Sequence, residues 1–256
     1  MVRIMDNMEM RMKNIFSIRK SLLDTFGNSI HAAIVYGSTL NADFCETSDY
    51  DILLIFETMS MTTLKKIHSI KDQYANCGVR IDFNSHLTSD LPSERGGLYW
   101  HNNRSVFVQQ ELSMTGYSII GSNPFAGYRA DERDMQDEAV RMLNSFAYQA
   151  RKMIINKDLN NAENRLFLVK WCIYGSLYLL AGKGLFYNNR RDGLSQFITE
   201  FKSDIDPMCF LQMKIDRPEM ISDEDIELAY NYINYLDTCA VSMFKHNTRY
   251  NVELAC

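Results

Sequence analysis

The sequence predicts an α+β fold, with a small mixed β-sheet flanked by helices first and an all-α helical bundle second. Two observations support this. Apolar runs of strand length alternate with segments of helical periodicity in the first half of the chain. In the second half, apolar residues recur at helical spacing and no convincing strand is found. We therefore predict two domains, residues 1–127 and 128–256.

The elements follow from the apolar patterns in chain order. The first half predicts a helix, two strands, a second helix, a third strand, a third helix and an edge strand, at about 7–26, 31–36, 49–56, 61–75, 79–84, 105–112 and 117–121. The second half predicts four bundle helices, at about 131–156, 163–181, 191–202 and 223–245. The pair Gly175-Ser176 lies inside the second of these and is interpreted as a helix-packing position.

The composition is that of an ordinary globular protein. Of the 256 residues, 46% are hydrophobic and 23% are charged. The formal net charge of −5 argues against a nucleic-acid partner. The N-terminal residues lack the apolar region of a signal peptide, and no apolar run reaches the ~20 residues of a membrane span. The six cysteines have no disulfide or metal-binding spacing. We expect a cytoplasmic protein without membrane contact.

The segment between the first two strands carries the candidate chemistry. Asp49 and Asp51 open the second apolar run, and in an extended strand their side chains share one face. No Lys or Arg is found among the residues of that strand to pair with them. Two carboxylates held side by side repel each other unless a divalent cation lies between them. Oxygen ligands of this kind, together with substrate phosphates, suit Mg²⁺.

A Gly-Ser pair precedes these carboxylates and is typical of an anion site. Gly37 and Ser38 follow the first apolar run, and ten residues separate Ser38 from Asp49. Gly37 has no Cβ, so the backbone can approach a ligand closely. Ser38 adds a hydroxyl donor, and a short helix is expected to begin after it, with free N–H groups facing an anion. The order of elements places a triphosphate site next to a metal site.

A Gly-Ser pair, ten residues and an Asp-x-Asp that opens a strand resemble the signature of the DNA polymerase β nucleotidyltransferase superfamily. The resemblance is strongest to its small bacterial members, the antibiotic nucleotidyltransferases of aminoglycoside and lincosamide type and the minimal nucleotidyltransferases. It implies a Mg²⁺-dependent adenylyltransferase that transfers AMP from ATP to a hydroxyl of a small molecule, such as an antibiotic, and releases pyrophosphate. The motifs cover residues 34–84, whereas the architecture matches along the whole chain.

The family also has a third carboxylate on a strand beside the first two. Asp82 lies in an alternating run and shares a face with Arg80 and Asn84, so the resemblance matches it to this position. Its implied role is either third metal ligand or general base for the attacking hydroxyl. A surface strand with a solvated polar face is the alternative interpretation of Asp82 alone.

Candidates in the second half follow from the same resemblance. In related enzymes a basic residue of the helical domain reaches the triphosphate, and Arg190 or Arg191 is the candidate here, with a solvated basic turn as the alternative. Acidic residues of the second half would suit a polycationic acceptor, with a solvated helix start as the alternative. These residues are Glu132, Asp134, Glu138, Asp216, Glu219, Asp223, Glu224, Asp225 and Glu227.

Two rival functions stay open. One is a toxin-like nucleotidyltransferase that modifies tRNA or a protein. The weak negative charge of the chain argues against tRNA as the substrate. The other is a non-catalytic partner of a toxin–antitoxin pair that has kept the fold, which the presence of all three carboxylates disfavours. The acceptor is expected to bind between the two domains, or between two chains if the protein is a homodimer. The sequence leaves the acceptor and the preferred nucleotide base open.

Overall fold

The chain divides into two compact units, Met1–Arg129 and Ala130–Cys256. The computed structural model describes residues 2–41, 44, 48–91, 106–187, 189–216 and 219–244. The sequence also predicts a loop over residues 92–103, between the third strand and the third helix, and this segment lies outside the described part. Within the described residues, no helix is both long enough and apolar enough to cross a membrane.

The first unit contains a mixed sheet with helices around it, as predicted. Its elements are α1 (Val2–Phe26), β1 (Ile30–Tyr36), β2 (Tyr50–Phe56), α2 (Met61–Ala75), β3 (Ile81–Leu87), α3 (Val106–Thr115) and β4 (Tyr117–Ile120). The strand order is β3-β2-β1-β4. Strand β1 is antiparallel to both β2 and β4, whereas β2 and β3 are parallel. The predicted α+β class is therefore confirmed.

The two central strands are buried on both faces, which explains their continuous apolar runs. One face of the sheet packs against α1 and α2 in a core that includes Ile18, Leu22, Ile52 and Leu54. The opposite face packs in a second core with Leu112 of α3 and with Phe125. Burial on both sides fixes β1 and β2 in the middle of the sheet.

Strand β3 begins later than its sequence pattern predicts, at Ile81 rather than at Val79. The Val79 backbone N–H donates to the carbonyl of Tyr74, 3.0 Å away, at the C-terminal end of α2. Val79 is therefore tied to the end of a helix, and the residues of β3 begin two positions further on, at Ile81.

The second unit is helical. Its described helices are α4 (Glu132–Ile155), α5 (Ala162–Gly182), α6 (Arg190–Glu200), α7 (Met208–Asp216) and α8 (Asp223–Phe244). The sequence predicted four of them and missed α7. This helix spans nine residues, and it buries Phe210, Leu211 and Met213. A helix of this length shows too few turns for its periodicity to be distinctive.

A hydrogen-bonded pair lies at the centre of the bundle, where the Gly175-Ser176 position was interpreted as helix packing. A Cβ at Gly175 would lie 2.7 Å from Leu143 and 2.8 Å from Leu236, so α5 packs closely here. The Ser176 hydroxyl donates to the carbonyl of Cys172 at 2.9 Å and lies 2.8 Å from the Tyr232 hydroxyl. Because the Ser176 proton is used, the Tyr232 hydroxyl is the donor between the two.

Replacing Tyr232 by Phe is expected to destabilise the protein by about 1–2 kcal/mol, because Tyr232 is fully buried and its hydroxyl satisfies Ser176. Urea unfolding of the full chain measures this change. The control is the double variant Tyr232→Phe, Ser176→Ala, which should cost little more than the larger single change because both partners are then gone. Strict additivity of the two single changes would contradict the proposed pairing.

Candidate active site

Parallel pairing brings two of the three predicted carboxylates together. In the β2–β3 ladder Tyr50 is opposite Ile81, and Asp51 is opposite Asp82. Residues at the same register of neighbouring strands direct their side chains to the same face. Asp51 is half-buried and Asp82 is exposed. The sheet therefore presents two neighbouring carboxylates at the start of β2 and β3.

Asp49 lies one residue before β2 and has a cationic partner. The Arg80 Nε is 3.0 Å from its Oδ1, and both side chains are about half exposed. The strand that Asp49 opens contains no Lys or Arg, as the sequence analysis noted, so this partner comes from elsewhere. Arg80 belongs to the neighbouring segment, and strand register brings it beside Asp49.

Tyr50 points to the opposite face from its two acidic neighbours, as the strand alternation predicted. Its ring is buried, and its hydroxyl accepts a hydrogen bond from Asn14 of α1 at 2.9 Å. Burial raises the pKa of Tyr50 above its ordinary value, so the phenol is neutral at physiological pH. Tyr50 thereby anchors the start of β2 to α1.

Gly37 lies against the carboxylate of Asp51. Its φ is +72°, a conformation that residues with side chains rarely adopt. Tyr36 is opposite Asp51 in the β1–β2 ladder. A Cβ at Gly37 would lie 2.5 Å from the Asp51 Oδ2. Glycine is therefore required here both for the backbone turn and for the space that the carboxylate occupies.

The turn after β1 differs from the expected short helix. Residues Gly37–Leu40 form a single 3₁₀ turn, in which Ser38 and Thr39 are buried. Four residues are too few for the aligned peptide dipoles of an α-helix terminus. Any anion bound here would be held by individual main-chain N–H groups rather than by a helix dipole.

Arg11 of α1 holds this turn and was missed by the sequence analysis. Its side chain is buried, and Nη1 donates to the carbonyls of Thr39 at 3.3 Å and Asn41 at 2.9 Å. Its guanidinium also lies over the ring of Phe44, 4.9 Å from the centroid. The amphipathic pattern gives no sign of this role, because a basic residue on such a helix usually faces solvent.

Asn84 connects the end of β1 with the third carboxylate. Its Nδ2 donates to the Tyr36 hydroxyl at 3.0 Å and to the Asp82 Oδ2 at 3.2 Å. Asn84 lies two residues after Asp82 on the same face of β3. The amide thus fixes one oxygen of Asp82 and leaves the residue exposed to solvent.

The two candidate arginines of the second unit lie in the first turn of α6, which Asn189 caps. Arg190 Nη2 donates to the Tyr174 hydroxyl at 3.1 Å, and its guanidinium lies 5.4 Å from the centre of that ring. Arg191 is exposed. Arg190 is thus held by an aromatic side chain of α5, and its assignment to a triphosphate stays a prediction.

Some of the acidic candidates have structural roles within the second unit. Asp225 is buried and accepts from the Ser222 backbone N–H at 2.9 Å, at the N-terminus of α8. Asp223 pairs with Arg165 at 2.6 Å. Glu138 is buried and receives two hydrogen bonds of 2.7 Å from Arg141. For these three residues the partners favour a structural role within the second unit over direct contact with an acceptor.

The donors at the start of β2 and β3 match Mg²⁺ in kind, since carboxylate oxygens are the protein ligands that this ion prefers. Asp51 and Asp82 are neighbours, and Asp49 lies two residues before Asp51. In the part of the chain that the structure describes, no three His, Cys, Asp or Glu side chains already surround one point as a metal site would require. Binding by all three carboxylates therefore needs a side-chain rearrangement.

Comparison with known proteins gives a likeness in fold. No protein-family model and no curated protein matches the sequence. Among solved structures, spectinomycin adenyltransferase AAD(9) from Enterococcus faecialis, solved with ATP and spectinomycin, superposes with a TM-score of 0.56. The match has 11% sequence identity and covers 88% of this chain and 99% of that chain. A mutant form of the toxin–antitoxin complex MntA-HpeT matches with a TM-score of 0.30 and 15% identity, over 57% of this chain and 98% of that one.

The chain therefore shares its fold with an adenyltransferase, which agrees with the fold that the sequence motifs indicated. The likeness extends over most of the chain, so it includes the helical part as well as the sheet. At this identity the comparison establishes the fold, and the chemistry of the site has to be argued from the residues of this chain.

Replacing Gly37 by Ala is expected to destabilise the protein by about 2 kcal/mol or more, since the change adds backbone strain and a contact with Asp51. Gly78→Ala is the matched control. Gly78 has φ +77°, and a Cβ added there would meet no atom within 4 Å, so its replacement costs only the backbone strain of about 1 kcal/mol. Urea unfolding of both variants measures the difference. Equal destabilisation would show that the Gly37–Asp51 contact contributes nothing.

Proposed function

We propose that this protein is a Mg²⁺-dependent nucleotidyltransferase that transfers AMP from ATP to a hydroxyl group of a small molecule. The observation that carries the proposal is the juxtaposition of Asp51 with Asp82 and Gly37, in a fold shared with an adenyltransferase. That neighbour was solved with ATP and spectinomycin, which supports ATP as the donor and an antibiotic as the class of acceptor.

The turn at Gly37 and Ser38 would bind the β- and γ-phosphates of ATP. Without a side chain at Gly37, the phosphates can approach the main chain. The Ser38 side chain is largely buried, so backbone N–H groups are the better candidates for the contact. Arg11 supports this role, because it stabilises the same turn by hydrogen bonds to the main-chain carbonyls of Thr39 and Asn41.

Asp49, Asp51 and Asp82 would hold Mg²⁺, which when bound would orient the α-phosphate and offset the charge of the leaving pyrophosphate. Asp82 is exposed, so it has room to accept the proton of the acceptor hydroxyl. That hydroxyl oxygen forms a bond to the α-phosphorus, the bond to the bridging oxygen breaks, and pyrophosphate leaves with the electron pair. Whether Asp82 is a metal ligand or the base stays open in this proposal.

Labelled ATP tests the proposed reaction directly. We expect transfer of label from α-phosphate-labelled ATP to one member of a panel of spectinomycin, aminoglycosides and lincosamides, and no transfer without a divalent cation. tRNA and cell-lysate protein are included as acceptors. Label on tRNA or protein would support the toxin-like alternative instead. Label on no acceptor would contradict the proposal.

Replacing Asp51 by Asn is expected to lower the transfer rate roughly 100-fold or more, because a lost metal ligand removes several kcal/mol of transition-state stabilisation. Asp72→Asn, an exposed position on α2, is the matched control and should keep the wild-type rate. Initial rates are measured with equal amounts of folded protein, checked by circular dichroism. Wild-type transfer by Asp51→Asn would exclude this site.

A further inference from the structure

The start of β2 and β3 forms a small charged array. The ladder pairs Asp51 with Asp82, and one step earlier the Tyr50 backbone N–H donates to the Arg80 carbonyl at 2.8 Å. The two strands are thus already side by side before Ile81, which places Arg80 next to Asp49. Within this array, Asp51 lies beside Asp82, and Asp49 lies beside Arg80.

We propose that Arg80 acts as a built-in counter-ion of Asp49 that a divalent cation has to displace. The inference rests on the proposed function only in assigning Asp49 to the metal site. Its basis is the contact of 3.0 Å between Arg80 Nε and Asp49 Oδ1, which occupies an oxygen that the metal would use.

The strength of this competition follows from the exposure of the pair. The side chains of Arg80 and Asp49 are 55% and 51% exposed, and ion pairs with this exposure are weak. The guanidinium should therefore lower the affinity for a bare divalent cation by about two- to five-fold, and not by orders of magnitude. The Arg80–Asp49 ion pair should therefore break readily when a metal with further ligands binds Asp49.

Competition with Arg80 should favour a divalent cation that is already bound to a nucleotide over a bare cation. A bare cation offers only its own charge in exchange for the Arg80 contact. A cation bound to a triphosphate brings phosphate oxygens that complete its coordination. The Arg80 main chain stays fixed to Tyr50 throughout, so the released guanidinium remains beside the site. Arg80 in this proposal competes with the metal for Asp49 and does not contact the reacting atoms.

Binding of Mn²⁺ to the full chain, without nucleotide, tests the inference. Free Mn²⁺ is measured by electron paramagnetic resonance for the wild type, Arg80→Gln, Arg80→Lys and Lys66→Gln. We expect the dissociation constant to fall about two- to five-fold in Arg80→Gln and to stay near the wild-type value in Arg80→Lys, which keeps a cation. Lys66→Gln removes the same charge from an exposed position of α2 and should change the affinity less.

Unchanged or weakened Mn²⁺ binding in Arg80→Gln would overturn the inference, and weakening would mean that Arg80 instead orients Asp49 for the metal. An equal gain in Lys66→Gln would also overturn it, because the effect would then be one of net charge. Asp51→Asn should weaken binding in every background. Failure of the wild type to bind Mn²⁺, with or without ATP, would remove the proposed function too, so the two failures are distinguishable.

Discussion

The central position of β2 is the constraint on which the candidate site depends. Residues 52–56 are buried between two layers, so the chain can carry charge only where the strand leaves the core. Asp51 lies at that limit. The partners of β2 then complete the site, because antiparallel β1 ends beside Asp51 at Gly37 and parallel β3 places Asp82 on the other side. A one-residue slip of either pairing would turn these side chains to the opposite face.

The elements of the sheet could be predicted because apolar runs and strand alternation are local properties of the sequence. The adjacency of Asp51 and Asp82 could not be derived in that way, since it depends on the register of two segments separated by α2. The resemblance to a known family supplied it instead. The same dependence on register explains why Arg80 was placed on the correct face but was not recognised as the partner of Asp49. Family resemblance carries the metal and phosphate roles, which the geometry alone leaves as proposals.

In the helical unit, the acidic residues illustrate how one pattern can have two causes. Carboxylates are favoured in the first turn of a helix because they accept from free backbone N–H groups. Asp225 does this at the start of α8, and Asp223 pairs with an arginine of α5. These two acidic residues therefore have local structural partners before any ligand is considered. Sequence alone cannot separate these causes, since both require the same residue types.

Arg11 holds the candidate phosphate-binding turn through hydrogen bonds to main-chain atoms and not to side chains. The hydrogen bonds of the guanidinium do not depend on which side chains residues 39 and 41 carry, because both bonds end on main-chain oxygens. Arg11 itself therefore places no requirement on these two side chains, whereas the buried Thr39 makes a hydrogen bond of its own from Oγ1 to the Asp49 carbonyl, 3.3 Å away. The backbone course of the turn at Gly37–Leu40 thus depends on a residue of another element, which lies 28 positions earlier than Thr39.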